Sequence, residues 1–448
     1  DYQIVPAFNL RMFDPKTYGE KADSLIGELM KIRKVVFKTE IDPIKMAKKF
    51  SEYENVDFAE PIPINKIFSN ETNDPELDKL YQLYITKTID AWKLMIGDTV
   101  LIGIVDTGID FEHEDLTEMI WHNQGEMGLD DNGKDKSTNG IDDDNNGFID
   151  DWRGWDFGSE KGYDNDPTYG NTHGVHVAGI AAAQVNNGKG VAGMCPRAKI
   201  LPVKIGAAFG LDNSVINEYE GLLYAASMGA KVINCSWGSA GYSKVNQLAI
   251  ETATELGALV VAAAGNDSKN EKFYPSSYEQ VISVASTAED DVRSGFSNYS
   301  TAVDISAPGT FIYSTVPDNK YDYMSGTSMA SPVVAGAAAV LRSQYPAYSP
   351  KQIKYLLIVN ADDISEQNPL YNGLIGSGRL NLLSAINRKN NKAVSLDSYF
   401  VHSESKYNII EAGEKISIDI NFENVLDSID NLELVIGNDK LFPLVISN

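Results

Sequence analysis

The chain has 448 residues, 43% of them hydrophobic, which is enough for two to four domains with sizeable cores. Acidic residues number 63 against 38 basic ones, a formal charge of −25. That balance argues against nucleic acid or an anionic membrane surface as partner, because phosphate is held by concentrated Lys and Arg. No apolar run approaches the roughly 20 residues that cross a bilayer. Two cysteines, Cys195 and Cys235, are too few for a disulfide framework and read as buried thiols, with one disulfide as the alternative. The first residue is Asp rather than Met, so removal of a leading segment such as a secretion signal is expected.

Residues 1–70 read as a small α/β unit. "SLIGELMKI" (24–32) has helical spacing, "KVVFKTE" (34–40) is a strand, and "DPIKMAKKF" (42–50) opens with the Asp-Pro of a helix start. "NVDFAEPIPI" (55–64) is extended and stopped by prolines, and "FSNETNDPELD" (68–78) reads as a polar linker with little to bury. From about 80 to 388, β-branched runs alternate with helical segments. "TVLIGIVD" (99–106), "AKILPVKI" (198–205), "AKVINCSW" (230–237) and "ALVVAAAG" (258–265) are continuous rather than alternating, as in strands buried on both faces. Helices at 217–229 and 246–257 intervene, so the fold expected is α/β, a doubly wound and mainly parallel sheet with helices on both faces. Residues 130–151 are biased, 12 of 22 being Asp or Asn. The tail, 391–448, is β-rich, with a period-two pattern at 415–425 and a further strand at 432–437.

Asp106 ends the strand "VLIGIV", where groups face the crevice of an α/β sheet. A turn or cap aspartate would look the same. His173 and His176 open a run of very small residues, Gly174 to Ala183. A metal pair is one reading, since residues i and i+3 share a helix face, and His113 would be its third ligand. Ser328 begins another small-residue helix, near the positive end of its dipole, where negative charge is favoured. An N-cap serine is the plainer reading. Asn266 closes "VVAAAGN" with an amide that can donate to an oxyanion or merely shape a turn.

Together these signals form Asp…His…Ser in chain order, with an Asn between the last two, the order known from subtilisin. "VDTGID", "THGVHVAG" and "GTSMASP" resemble the three signature motifs of the subtilisin-like serine protease family, and "AAAGN" its oxyanion segment, over residues 73–388. The resemblance implies that Asp106, His173 and Ser328 form a triad and that Asn266 with the Ser328 N–H binds the oxyanion. His176 then belongs to the packed helix. It also implies that Ser236, Trp237 and Gly238 in "NCSWGS", with Gly210 in "FGLD" and Gly265, wall a site for extended polypeptide. Trp237 stands where many members carry a smaller side chain, which leaves the pocket shape open.

Between Asp106 and His173 lie 66 residues, about twice what compact members use. Within the insert (122–157), Asp142, Asp144, Asn146, Gly147 and Asp150 fit the front of an EF-hand loop, with Phe148 offering its carbonyl; Arg153 replaces the closing Glu. Ca²⁺ takes six to eight oxygens, so a calcium loop is expected, and a merely solvated acidic loop is the alternative. The resemblance implies a second calcium site from Asp115 and Asn187 with the carbonyls of Val185, Lys189 and Val191. It further implies that residues 1–72 are an inhibitory and chaperoning propeptide, cut by Ser328 within 60–75, ahead of a catalytic domain at 73–390. The function expected is a secreted, monomeric, calcium-dependent endopeptidase acting on polypeptides and inhibited by its own propeptide. A silent scaffold and a peptide ligase or macrocyclase are the rivals.

Overall fold

The computed structural model describes residues 2–7, 20–37, 43–60, 72–95, 97–159, 163–206, 214–403 and 416–429. The chain divides into two compact units, residues 1–68 and 69–448.

In the first unit, β1 (Tyr2–Pro6) pairs antiparallel with β2 (Arg33–Phe37), Tyr2 opposite Phe37. Helices α1 (Glu20–Leu29) and α2 (Pro43–Ser51) complete it. Tyr2, Phe37 and Phe50 pack their rings at 5.9–6.4 Å. The sequence reading found α1, β2 and α2 but not β1, and the run read as extended is a turn and irregular chain over 55–60 and otherwise lies outside the described residues.

The second unit opens with two short helices, α3 (Tyr81–Ile85) and α4 (Thr88–Trp92). Strands β3 (Val100–Asp106), β4 (Trp155–Asp156), β5 (Ala198–Lys204), β6 (Val232–Cys235), β7 (Leu259–Ala263), β8 (Ile282–Thr287) and β9 (Ile305–Pro308) form one parallel sheet, ordered β4-β5-β3-β6-β7-β8-β9. Helices α5 (Thr172–Ala182), α6 (Glu218–Ser227) and α7 (Lys244–Glu255) connect these strands. A hairpin, β10 (Ile312–Val316) with β11 (Lys320–Met324), leads into α8 (Thr327–Gln344). Helices α9 (Pro350–Ile358) and α10 (Leu382–Ile386) and the hairpin β12–β13 (Val394–Ser403, Ile416–Asn424) follow. The strand expected at 432–437 lies outside the described residues.

The continuous apolar strands serve two cores. Ile102, Ile104, Val232 and Val261 face α5 and α8, while Val105, Ile233, Val260 and Ala262 face α6 and α7. This is the doubly wound, subtilisin-like α/β architecture, and both cysteines are free and buried within it. Small residues let α5 and α8 lie almost backbone to backbone. A Cβ on Gly336 would sit 2.8 Å from the Ala181 carbonyl and overlap Met194. In a Ser328→Ala background, Gly336→Ala is therefore expected to lose about 1–3 kcal/mol in denaturant unfolding, the cost of overpacking. Gly295→Ala, which meets nothing within 4 Å, is the neutral control.

Candidate active site

Strand β3 delivers Asp106 to the carboxyl edge of the sheet, 2% exposed, and Gly108 (φ +94°) then turns the chain under the Pro167 and Thr168 carbonyls. Asn171 caps α5 by accepting from the His173 N–H at 2.9 Å, so the His173 ring leaves the helix at its first turn. His173 Nδ1 lies 2.7 Å from Asp106 Oδ1, an oxygen that also accepts from the Thr107 N–H. Thr107 ties the two segments together: its hydroxyl donates to Asn171 Oδ1 at 2.8 Å and accepts from the Gly174 N–H at 2.9 Å.

Burial pulls the His173 pKa down, but the charge and hydrogen bond of Asp106 outweigh it, and the net shift is upward from 6.5. His176, fully buried, holds the Asp322 carbonyl at 3.1 Å, and burial lowers its pKa to about 4. His113 is likewise spent on backbone, between the Lys320 carbonyl and the Asp115 N–H. Among the described residues, the only converging group of three metal-capable side chains contains no histidine. The histidine metal reading therefore has no support.

Ser328 is the second residue of α8. Its hydroxyl donates to the Ser236 carbonyl at 3.1 Å, while its own carbonyl accepts the Ser236 hydroxyl at 2.8 Å. Pro332 explains that second bond. In a regular helix the N–H of residue 332 would take the Ser328 carbonyl, and proline has none. Asn266 is oriented through its oxygen, which accepts from the N–H and hydroxyl of Thr327 at 2.9 Å each. Its Nδ2 is thereby turned outward. The point where a Cβ of Gly326 would stand is 3.6 Å from that Nδ2 and 3.5 Å from the Ser328 N–H, so two donors flank one small space.

Asp106, His173, Ser328 and Asn266 line a single cavity of about 680 Å³, together with Ser236, Trp237, Gly238 and Gly265. Gly210 lies outside the described residues. An imidazole oriented by a buried carboxylate, a hydroxyl and two convergent donors can together carry acyl transfer. The sequence reading quoted Thr107 and Thr327 inside two motifs without giving them a role and passed over Asn171, because motif spacing does not show which neighbour a side-chain oxygen will hold.

In the acidic insert, Glu126, Asp142 and Asp144 bring ligand atoms within 4.8 Å of one another. Glu126 is fully buried, and burial raises its pKa. Its Oε1 accepts from the N–H groups of Asp143 and Asp144, and its Oε2 has no partner among the described residues, as fits an oxygen awaiting a cation. Asn146 Nδ2 donates to Asp144 and Asp151. Its Oδ1 accepts from the Phe148 N–H, and the Phe148 ring packs on Tyr224. The Asp150 carboxylate accepts from the Gly140 N–H. At the second locus, Asp115 accepts from Asn187 Nδ2 at 2.7 Å and from the Val191 N–H at 2.8 Å. The Lys189 N–H donates to Asn187 Oδ1, within the loop that begins at Val185. Asp74, 4% exposed, joins that loop by accepting from the Asn186 and Asn187 N–H groups. The supposed linker 68–78 thus buries a carboxylate, a correction that a run of polar residues gave no means to foresee.

The sheet order and the cavity at its carboxyl edge define an α/β enzyme of subtilisin-like architecture. A model of the Subtilase family matches residues 97–378. Thermitase of Thermoactinomyces vulgaris is 38% identical over 302 residues, 66% of this chain and 91% of that protein. A cell wall-associated protease of Bacillus subtilis is 35% identical over 338 residues, 71% of this chain and 33% of that protein. Among solved structures, a protease from Pseudoalteromonas arctica superposes with a TM-score of 0.57 at 28% identity, covering 70% of this chain and 98% of that one. The chain belongs to the subtilase family and is a subtilisin-like serine endopeptidase.

The His173 environment makes a direct prediction. In a Ser328→Ala background, the His173 ring protons should titrate above pH 6.5 by NMR, and in Asp106→Asn below it, since only the downward pull of burial then remains.

Proposed function

We propose that Asp106, His173 and Ser328 act as a catalytic triad, with Asn266 Nδ2 and the Ser328 N–H as the oxyanion donors. The observation that carries this reading is their shared cavity, with His173 bonded to Asp106 and both donors flanking one point. The Ser328 hydroxyl leaves the Ser236 carbonyl and gives its proton to His173 Nε2 as its oxygen attacks a peptide carbonyl. Asp106 holds the imidazolium that forms. The carbonyl oxygen, now negative, moves into the space beside Gly326. His173 then returns the proton to the leaving amine, and a water activated by the same ring releases the acyl group. The polypeptide lies extended along Ser236–Gly238, which lines the same cavity.

The enzyme is made as a self-processing precursor, with residues 1–72 as its propeptide and inhibitor. A compact first unit ending at residue 68, with Tyr2, Ile4 and Val5 exposed on its hairpin, supports this. Calcium would be held by Glu126, Asp142 and Asp144, and by Asp115 with Asp74, joined by Asn187 once its amide turns its oxygen from the Lys189 N–H to the ion. Its contribution is to neutralise buried carboxylates and tie loops to the core. Export fits the cell wall association of the Bacillus subtilis relative, and no helix among the described residues is long and apolar enough to cross a membrane.

Intact mass followed over hours in calcium tests the precursor reading: wild type sheds a piece of about seventy residues by self-cleavage, and Ser328→Ala stays whole. Wild type remaining whole and unlabelled by a fluorophosphonate would overturn it. In the mature enzyme, Asn266→Ala is expected to lose about 10²–10³ in kcat. kcat/KM should rise with pH through an ionisation above 6.5, because His173 must be neutral to accept the proton.

For calcium, the inactive Ser328→Ala chain gives a readout independent of activity. Ion at a hundred times its dissociation constant adds about 2.7 kcal/mol of stability. Chelation should therefore lower the melting temperature, and Glu126→Gln should abolish part of the calcium-dependent gain.

A further inference from the structure

The cavity has two arms. Strands β6 and β7 run side by side, Cys235 opposite Ala262, and beyond their ends the chain continues as Ser236–Gly238 on one side and Ala264–Asn266 on the other. Ser328 stands over the gap, bonded to Ser236, and Asn266 fixes where the attacked carbonyl oxygen goes. The side chain of the residue just before the cleaved bond must therefore enter between Gly238 and Gly265.

The ring of Phe273 stands there. A Cβ on Gly238 would be 2.7 Å from its Cε1 and 2.9 Å from its Cδ1, and a Cβ on Gly265 would be 3.2 Å from Cδ1. One ring edge thus occupies the space that a side chain on either glycine would enter, and Phe273 lines the cavity together with both. The backbone that carries the ring is pinned. The Phe273 N–H donates to Ser277 Oγ at 3.1 Å, and its carbonyl accepts from Ser276 Oγ at 2.7 Å and from the Ser277 N–H at 2.8 Å. The next residue, Tyr274, exchanges both backbone hydrogen bonds with Ser239 at 2.8 Å, which locks the segment to the Gly238 arm. Trp237, the bulky residue singled out from sequence, does not fill the gap. Its indole N–H donates to the Val105 carbonyl at 2.8 Å, and its ring meets Tyr219 edge-on.

We propose that Phe273 sets the primary specificity: it closes the pocket floor, so the enzyme cleaves after small side chains, Gly, Ala and Ser, and rejects aromatic and long aliphatic ones. A large side chain entering beside the two glycines would have to displace the ring that already fills this space, a cost that small side chains avoid. This inference rests on the proposed role of Ser328 and Asn266, and its test separates the two.

The test uses quenched peptides that differ only in the residue before the bond (Gly, Ala, Leu or Phe), with the cleaved bond identified by mass spectrometry. The self-processed wild type is compared with Phe273→Gly and Phe273→Leu. The wild type should favour Ala over Phe in kcat/KM by at least about tenfold, the range that pocket size commands. Phe273→Gly should bring that ratio to one or below while still cleaving the Ala peptide. If Phe273→Gly fails to process itself, Phe273→Leu decides, and it must lower the ratio at least about threefold, a part of that same range. Wild-type cleavage after Phe or Leu as fast as after Ala overturns the inference, as does an unchanged ratio in an active variant. No cleavage of any peptide together with no fluorophosphonate labelling overturns the peptidase assignment of Ser328 instead.

Discussion

Everything at the cavity depends on how closely α5 and α8 can lie against each other and against the sheet. Their N-terminal turns carry His173 and Ser328, while the end of β3 carries Asp106 and the bend after β7 carries Asn266. A larger residue at Gly336 would push α8 away from Ala181, and one at Gly174 would strike the Gly108 carbonyl. Displacements of an ångström at reacting groups are costly, because proton transfer and attack both require near-contact geometry. The Gly and Ala content of these helices, weak as a hydrophobic signal, is thus what makes the constellation possible.

Much of this was legible beforehand because it is local. Asp106, His173, Asn266 and Ser328 each sit at a strand end or helix start, flanked by small residues, and the buried strands announced the parallel sheet. The parts that escaped are long-range. Glu126 meets Asp142 and Asp144 from a separate turn, with no periodicity to mark it. Asp74 belongs to a stretch whose polar composition suggests solvent, yet the Asn186–Asn187 loop closes over it. Counting oxygens in a loop motif also says nothing of where an amide points. Asn146 fits the pattern, but its NH₂ group faces the acids and its oxygen faces the Phe148 N–H. Strand β1 was missed for a related reason, since its five residues are recognisable only once β2 is beside them.

The acidity of the chain is not confined to its surface. Asp151 is fully buried, satisfied by Asn123, Asn146 and the Tyr224 hydroxyl, and burial raises its pKa. Asp156 is buried beside Lys204 at 2.8 Å, and Lys204 lies opposite Asp106 in the sheet. Carboxylates taken out of water are tolerable only when hydrogen-bonded or paired. Here the pairing comes mostly from neutral donors, so the insert is folded around negative charge that its own groups do not cancel.

Pro332 lies inside α8, where proline ordinarily interrupts a helix. Because it cannot donate, the Ser328 carbonyl is left to Ser236, and a missing rung of the helix becomes a rivet between two elements 92 residues apart in sequence. The defect is therefore directional. It loosens the helix against itself at the turn where α8 must instead be fastened to its neighbour, and it does so without a charge, a metal or a covalent bond.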